Sequence, residues 1–279
     1  MASILDRYGI KEVADVVFCK INDDGSRGAP VLYLDTLKVS TIEQTAESTD
    51  ARGGKGNPKL VSWDYGKEIT VSLEDALFSA KSMSLMFGDG TTPDEVSGTV
   101  TRTAVMRVTD GTVYFVADMA GENGAIRKKV WLGTVPAGQE GVSFDEVKAK
   151  LGGKIALYDE KSQSIGELAN SSEWAQLKAK ATDKVFVTYT LAASSRTINI
   201  SGDSFPGTYY ITGDTYARSD VTGEDQFFQF IIPKAKVTSE NTITLEAEGD
   251  PSVFNMSLTV LRPDDGIMMK LVQYTLAEG

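Results

Sequence analysis

The chain has 279 residues, 41% of them hydrophobic, with 28 basic against 39 acidic side chains, a formal charge of -11 and a pI of about 4.7. That length can bury a core as one large β domain or two ordinary ones, and the acidity excludes the basic stripe on which nonspecific binding to phosphate backbones depends. The chain contains no histidine, which excludes Ser-His-Asp and Cys-His nucleophile activation and every His-containing zinc site.

In chain order, the opening run MASILDRYGIKEVADVVF carries charges through its only apolar stretch. Neither a signal peptide nor a membrane span is expected there, and a soluble protein made in a cytoplasm follows. Residues 15–21 form the first expected strand. It contains the lone Cys19 beside Val16, Val17 and Phe18, which reads as a small buried hydrophobe with no disulfide partner. A strand at 30–39 is followed by the polar, glycine-bearing stretch IEQTAESTDARGGKGNPKL. Read as a hairpin loop over 41–58, it far exceeds the ~4 to 6 residues of most connections. Ordering it costs about 1 to 2 kcal/mol per residue, so a partner outside the subunit is expected to fix it. The return strand alternates Ile69, Val71 and Leu73 with Glu68, Thr70 and Ser72.

A helix is expected over 72–87, with Ser72 as cap, Glu74 and Asp75 in the first turn, and Leu73, Ala76, Leu77, Ala80, Met83 and Phe87 as its apolar stripe. Gly88 offers a left-handed stop. Strands follow at 103–108, 112–117 and 127–132, a helix at 143–151 ended by Gly152-Gly153, a strand at 154–158 and a helix at 172–181. Period-2 alternation then gives strands at 184–191, 197–200, 208–212, 226–237, 242–248 and 253–261. In the strand at 242–248, Ile243, Leu245 and Ala247 alternate with Thr242, Thr244, Glu246 and Glu248. Asp110-Gly111, Asn123-Gly124 and Gly213-Asp214 read as hairpin turns. The whole is a mostly antiparallel β protein, with residues 93–181 an inserted α+β segment between the halves 1–92 and 182–279.

Motifs that could carry chemistry each have a plainer reading. Asn22-Asp23-Asp24-Gly25-Ser26 lacks the closing Glu of a calcium loop and reads as a surface turn. Gly53-Gly54-Lys55-Gly56 lacks the Walker spacing and opens no helix, so it reads as a loop tip. Asp264-Asp265 permits a glycosidase-like pair only as any acidic β protein does. Phe227-Phe228-Gln229-Phe230, with Tyr209-Tyr210 upstream, reads as core or subunit interface before ligand platform. No cofactor and no metal site is expected.

The order strand, long hairpin loop with NPKLVSWDYGKEITVSL, helix EDALFSAKSMSLMFG and closing block TYYITGDTYARSDVTGEDQFFQFIIPKAKVTSENTITLEAEGDPSVFNMSLTVL resembles the tail tube (major tail) proteins of long-tailed bacteriophages. It is likewise similar to the inner tubes of contractile injection machines. The similarity covers about 14–87 and 184–261 and leaves the middle third outside. It implies two packed antiparallel sheets, a sandwich or half-barrel, with a flanking helix. It also implies hexameric rings whose sheets join into one inner β-barrel, stacked into a hollow tube. The partners implied are other copies of the chain, then tape measure, baseplate and tail terminator proteins, with sheath as a further candidate. DNA would pass without specific binding, no membrane is involved, no reaction is catalysed, and the protein would reside in the virion.

On that plan the loop residues Thr41, Glu43, Glu47, Asp50, Arg52, Lys55, Asn57 and Lys59 are the candidates for contact between rings. Glu68, Glu246 and Glu248, on the polar faces of their strands, are the candidates for lining the lumen. Two other classes stay open, a surface adhesion or carbohydrate-binding β module of a virion and an enzyme with a carboxylate-based mechanism, and a tail sheath or other tail structural protein is a nearer rival in the same class.

Overall fold

The structure is a computed structural model that describes residues 7–10, 12–88, 93–108, 113–121, 124–238, 243 and 253–274. Its elements are β1 (Tyr8–Ile10), β2 (Asp15–Ile21), β3 (Arg27–Leu34), β4 (Leu37–Arg52), β5 (Lys59–Asp75), α1 (Ala80–Phe87), β6 (Val96–Arg107), β7 (Tyr114–Gly121), β8 (Gly124–Trp131) and β9 (Val142–Ser143). They continue with α2 (Phe144–Val147), β10 (Ile155–Asp159), β11 (Ser164–Leu168), α3 (Trp174–Lys178), β12 (Lys184–Ser195), β13 (Thr208–Ser219), β14 (Asp225–Val237), β15 (Phe254–Val260) and β16 (Lys270–Tyr274). Two compact units result, residues 1–93 with 197–279, and residues 94–196.

In the first unit the alternating strands join one antiparallel sheet of nine strands among the described residues, ordered β3-β2-β13-β14-β15-β5-β4. Two short strands complete it. β1 pairs with the C-terminal half of β13, beside the half taken by β2, and β16 pairs with the N-terminal half of β14, beside the part taken by β15. The inner faces of both wings share one core: Phe18 and Leu34 from β2 and β3 belong with Val71, Leu73, Ile232 and Leu258 from β5, β14 and β15. The expected mainly β, antiparallel architecture is thus present, and its two layers are wings of one continuously hydrogen-bonded sheet. Cys19 is buried in β2, where its sulfur accepts from Arg27 Nε at 3.2 Å.

The helix is shorter than expected and its face is different. β5 runs on to Asp75 because it is paired on both sides, Leu73 opposite Ser40 of β4 and opposite Met256 of β15. Asp75 then accepts from the Leu77 amide at 3.2 Å, turning the chain out of the sheet. Ser79, not Ser72, caps α1 through reciprocal hydrogen bonds with Ser82. Leu85 and Met86 bury the helix, whereas Leu77 lies before it and is 64% exposed. Gly88 adopts φ +87, and a Cβ there would meet the Phe205 backbone at 2.6 Å.

Two further expectations are corrected. Gly213-Asp214 is no turn: Gly213 sits in mid-strand opposite Phe230, and a Cβ on it would come within 2.1 Å of that ring. Glycine is required there because the aromatic ring lies across its Cα. Residues 197–200 form no strand, since their alternation finds no partner strand and Ile200 is left exposed. The turns at 110–111 and 123–124 and the strand at 242–248 fall wholly or largely outside the described residues.

The second unit packs a four-stranded sheet, β11-β10-β12-β6, with a three-stranded one, β7-β8-β9. Phe115, Phe144, Leu157, Trp174 and Val187 fill its core. The Asp118 amide of β7 donates to the Tyr189 hydroxyl of β12 at 3.1 Å. β12 belongs here by its pairing with β6 and β10, so the unit extends past the expected boundary at 181. Its first and last strands close on each other, Val96 opposite Ser195.

Candidate assembly interface

The stretch read as a loop over 41–58 is mostly strand. β4 and β5, 16 and 17 residues long, pair from Leu37 opposite Asp75 out to Arg52 opposite Lys59. Only 53–58 form the turn, where Gly54, Asn57 and Gly56 take positive φ. The polar Thr, Ser, Glu and Gln side chains of 41–52 hid the strand, because neither face meets a core. Near its base β5 is held by β15, through Thr70 to Asp75. Beyond Glu68, β5 pairs with β4 alone, and its residues from 59 to 68 are all exposed. A two-stranded ribbon therefore projects from the sheet, about eight residue pairs or ~27 Å long at ~3.4 Å per residue.

Six of the eight expected contact residues lie on this ribbon, and Thr41 and Glu43 lie in the sheet at its root. Thr41 and Glu43 pair opposite Ser72 and Thr70 near the base, Glu47 opposite Tyr65, Asp50 opposite Ser62 and Arg52 opposite Lys59; Lys55 and Asn57 are in the turn. Asp50 is the polar centre, accepting from Ser62 Oγ at 2.8 Å and pairing with Lys59 at 2.7 Å and Arg52 at 3.2 Å. The Lys59 ammonium, with help from Ser62, holds the Asp50 carboxyl below its ordinary value. Not foreseen is the apolar content of the ribbon: Val61, Trp63 and Tyr65, each about half exposed. Their period-2 spacing was the available signal.

Glu68 is exposed at the foot of the ribbon, opposite Thr45. Glu246 and Glu248 lie outside the described residues. Several sheet edges are open among the described residues, since β1, β3, β4 and β16 each pair on one side only. Such edges are templates for further strands.

The candidate chemical motifs resolve into turns. Asn22–Ser26 is closed by Gly25 N donating to Asn22 O and by Ser26 N donating to Asp24 at 2.9 Å; the Ser26 side chain, and then its amide, hold the Asp24 carboxyl below its ordinary value. Asp265 accepts from the Ile267 amide at 3.0 Å. Among the described residues no group of three His, Cys, Asp or Glu could hold a metal ion, and no helix is long and apolar enough to cross a membrane. In the aromatic run, Phe230 is core and Phe227 stands between its register partners Tyr216 and Tyr274. Phe227 and Tyr274 stack at 5.3 Å and 14°, so each gives one ring face to the other and the row is not a flat ligand platform.

A family model matches residues 8–120 and 137–272, nearly the whole described chain. The chain belongs to the YomU/Tube protein family. The family's name denotes a tube component, in agreement with the tail tube resemblance and with a self-assembling structural protein. The match takes in most of the 94–196 unit, so the middle third is part of the family pattern and not an addition to it. No curated protein matches the chain.

Proposed function

We propose that this chain is a structural virion protein that assembles into stacked hexameric rings, forming the hollow tail tube through which phage DNA is delivered. Family membership carries the reading, and an open-edged sheet with a projecting ribbon supports it. Free edges allow each subunit to extend its neighbour's sheet around a ring, a head-to-tail contact that closes when the rotation closes. The ribbon, through Thr41, Glu43, Glu47, Asp50, Arg52, Lys55, Asn57 and Lys59, reaches the adjacent ring. Function lies in assembly geometry, with no catalysis and no cofactor.

Charge distribution supports a conduit. Residues 94–196 hold 13 basic and 13 acidic side chains, leaving 15 basic and 26 acidic on the first unit, so the whole excess of -11 falls there. Glu68, Glu246 and Glu248 line the lumen in this proposal and keep it negative, so DNA slides through without adhering. The 94–196 unit is a second compact unit set within the chain of the tube unit. Tape measure, baseplate and tail terminator proteins are the further partners, with sheath where the tail contracts. The tube is built in the host cytoplasm and resides in the virion. Electron microscopy of the purified protein tests this: sixfold rings or tubes are expected, and a monomer that persists at high concentration would refute it.

A further inference from the structure

The two faces of the ribbon differ, and one glycine decides which is which. Along β5, Ile69, Val71 and Leu73 point into the core. The same odd numbering continues outward through Tyr65, Trp63 and Val61, so an unbroken strand would carry these on the core side. The register breaks at Gly66, which takes φ +62: Thr45 pairs with Glu68, but Glu47 pairs with Tyr65, giving β5 an extra residue.

β4 is unbroken over this stretch and serves as the reference. Gln44, opposite Ile69, is on the core side, and Ala46, Ser48, Asp50 and Arg52 follow on that side with Asp64 and Ser62 opposite them. The contacts of Asp50 with Ser62 and Lys59 lie on this polar face. Tyr65, Trp63 and Val61, opposite Glu47, Thr49 and Ala51, are therefore turned to the other face.

We infer that this Val61-Trp63-Tyr65 stripe is the surface that a second copy of the chain covers, and that the Gly66 bulge is the device that aims it. The inference rests on the tube reading and names the contact within it. Three observations bear on a second copy as the occupant. The family's name denotes a tube component, and the tube proposed above is built from copies of this chain. One face of a ribbon ~27 Å long and ~10 Å across offers on the order of 300 Å², about a third of the ~800 Å² each partner gives to a standard interface. Residues 45–68 hold four acidic and four basic side chains, so all of the unit's excess charge of -11 lies outside the ribbon. The ribbon is thus the part of the acidic unit that approaches another acidic unit without like-charge repulsion.

The chain's own fluorescence reads the contact. Of its three tryptophans, Trp131 and Trp174 are buried and Trp63 is 55% exposed, so iodide quenching reports on Trp63. The full-length protein should be quenched as a free subunit and protected once assembled. Trp63→Ser with Tyr65→Ser, and separately insertion of one Thr between Ala46 and Glu47, which gives the extra residue of β5 a partner and restores the unbroken phase, should leave the subunit's thermal melting intact. Each should raise the concentration needed for tube formation at least tenfold, judged by sedimentation and electron microscopy. Ser48→Ala with Asp64→Asn, an opposed pair on the polar face, should assemble as the parent does.

Quenching unchanged by assembly, or normal assembly of the stripe variants, overturns the inference. Removal of 53–58 separates the levels. If that deletion stops stacking while the stripe variants stack normally, the ribbon's role stands and its contact face is wrong; if it too stacks normally, the inter-ring role itself fails.

Discussion

Leu73 and Leu77 provide a direct test of how the chain passes from sheet to helix. On a helix over 72–87 the two residues, four apart, would share one face and one fate. In the structure Leu73 is a strand residue 1% exposed, in one core cluster with Leu34, Leu37, Met86 and Met256, and Leu77 is 64% exposed beyond the Asp75 turn. Leu73→Ala removes a fully buried side chain from a site hemmed by paired strands, so the cavity relaxes little and the cost is about 3 kcal/mol. For a unit of this size that lowers the melting temperature by ~6 to 12 °C. Leu77→Asp places a carboxylate in water and should change stability by less than ~0.5 kcal/mol. Thermal denaturation followed by circular dichroism, on protein kept below its assembly concentration, compares the two. Comparable losses in both variants would refute the strand assignment, and a large loss confined to Leu77→Asp would reverse it.

Gly213→Ala drives a methyl group into the Phe230 ring and should cost about 1 to 3 kcal/mol, measured as a lower melting temperature; adding Phe230→Leu should recover part of it, and an unchanged melt for the single variant would show that the ring does not cover Gly213. The Asp50 carboxyl, lowered first by Lys59 and then by Ser62, favours the paired ribbon in full above the ordinary carboxylate value of ~3.9 and ceases to do so as pH falls through its lower folded value. Carbon-detected NMR titration should place its midpoint below those of ordinary aspartates, and a midpoint at or above them would remove Asp50 as the ribbon's polar centre.

Most of the strand content was legible because half-buried strands alternate, and β2, β12, β14 and β15 show that alternation plainly. What escaped did so for identifiable reasons. The ribbon's outer strands meet no core, so residues 41–52 read as a polar loop although every position but Ala46 has a register partner. Ser72 to Asp75 look like a helix start because Ser, Glu and Asp suit a first turn, but β4 and β15 claim that segment from both sides. Pairing between residues far apart in the chain outweighed local propensity. Six of the eight expected contact residues lie on the projecting element and two at its root, whereas the aromatic stripe was missed because Gly66 inverts its phase. A bulge in the register is visible only when both strands are seen.

The second unit gives the last prediction. A segment that folds by itself must bring its own core and must close its own ends. Residues 94–196 bring Phe115, Phe144, Leu151, Ile155, Leu157, Val185 and Val187, each at most 1% exposed. The ends close through β6 and β12, which pair over their whole length with Val96 opposite Ser195, and Glu95 pairs with Arg196 at 3.1 Å just outside them. Opposed residues on antiparallel strands have Cα atoms only ~5 Å apart, so the chain enters and leaves by one doorway. Residues 94–196 expressed alone should therefore melt cooperatively and, with 13 charges of each sign, pass an anion exchanger at neutral pH. The complementary chain, with 94–196 replaced by a short Gly-Ser turn, should fold and be retained through its excess of -11. A 94–196 fragment without a cooperative melt or near-ultraviolet dichroism would show that the core and the paired ends do not suffice. Since the family match also spans most of this unit, folding of both parts with failure of the shortened chain to assemble would place a required subunit contact within 94–196.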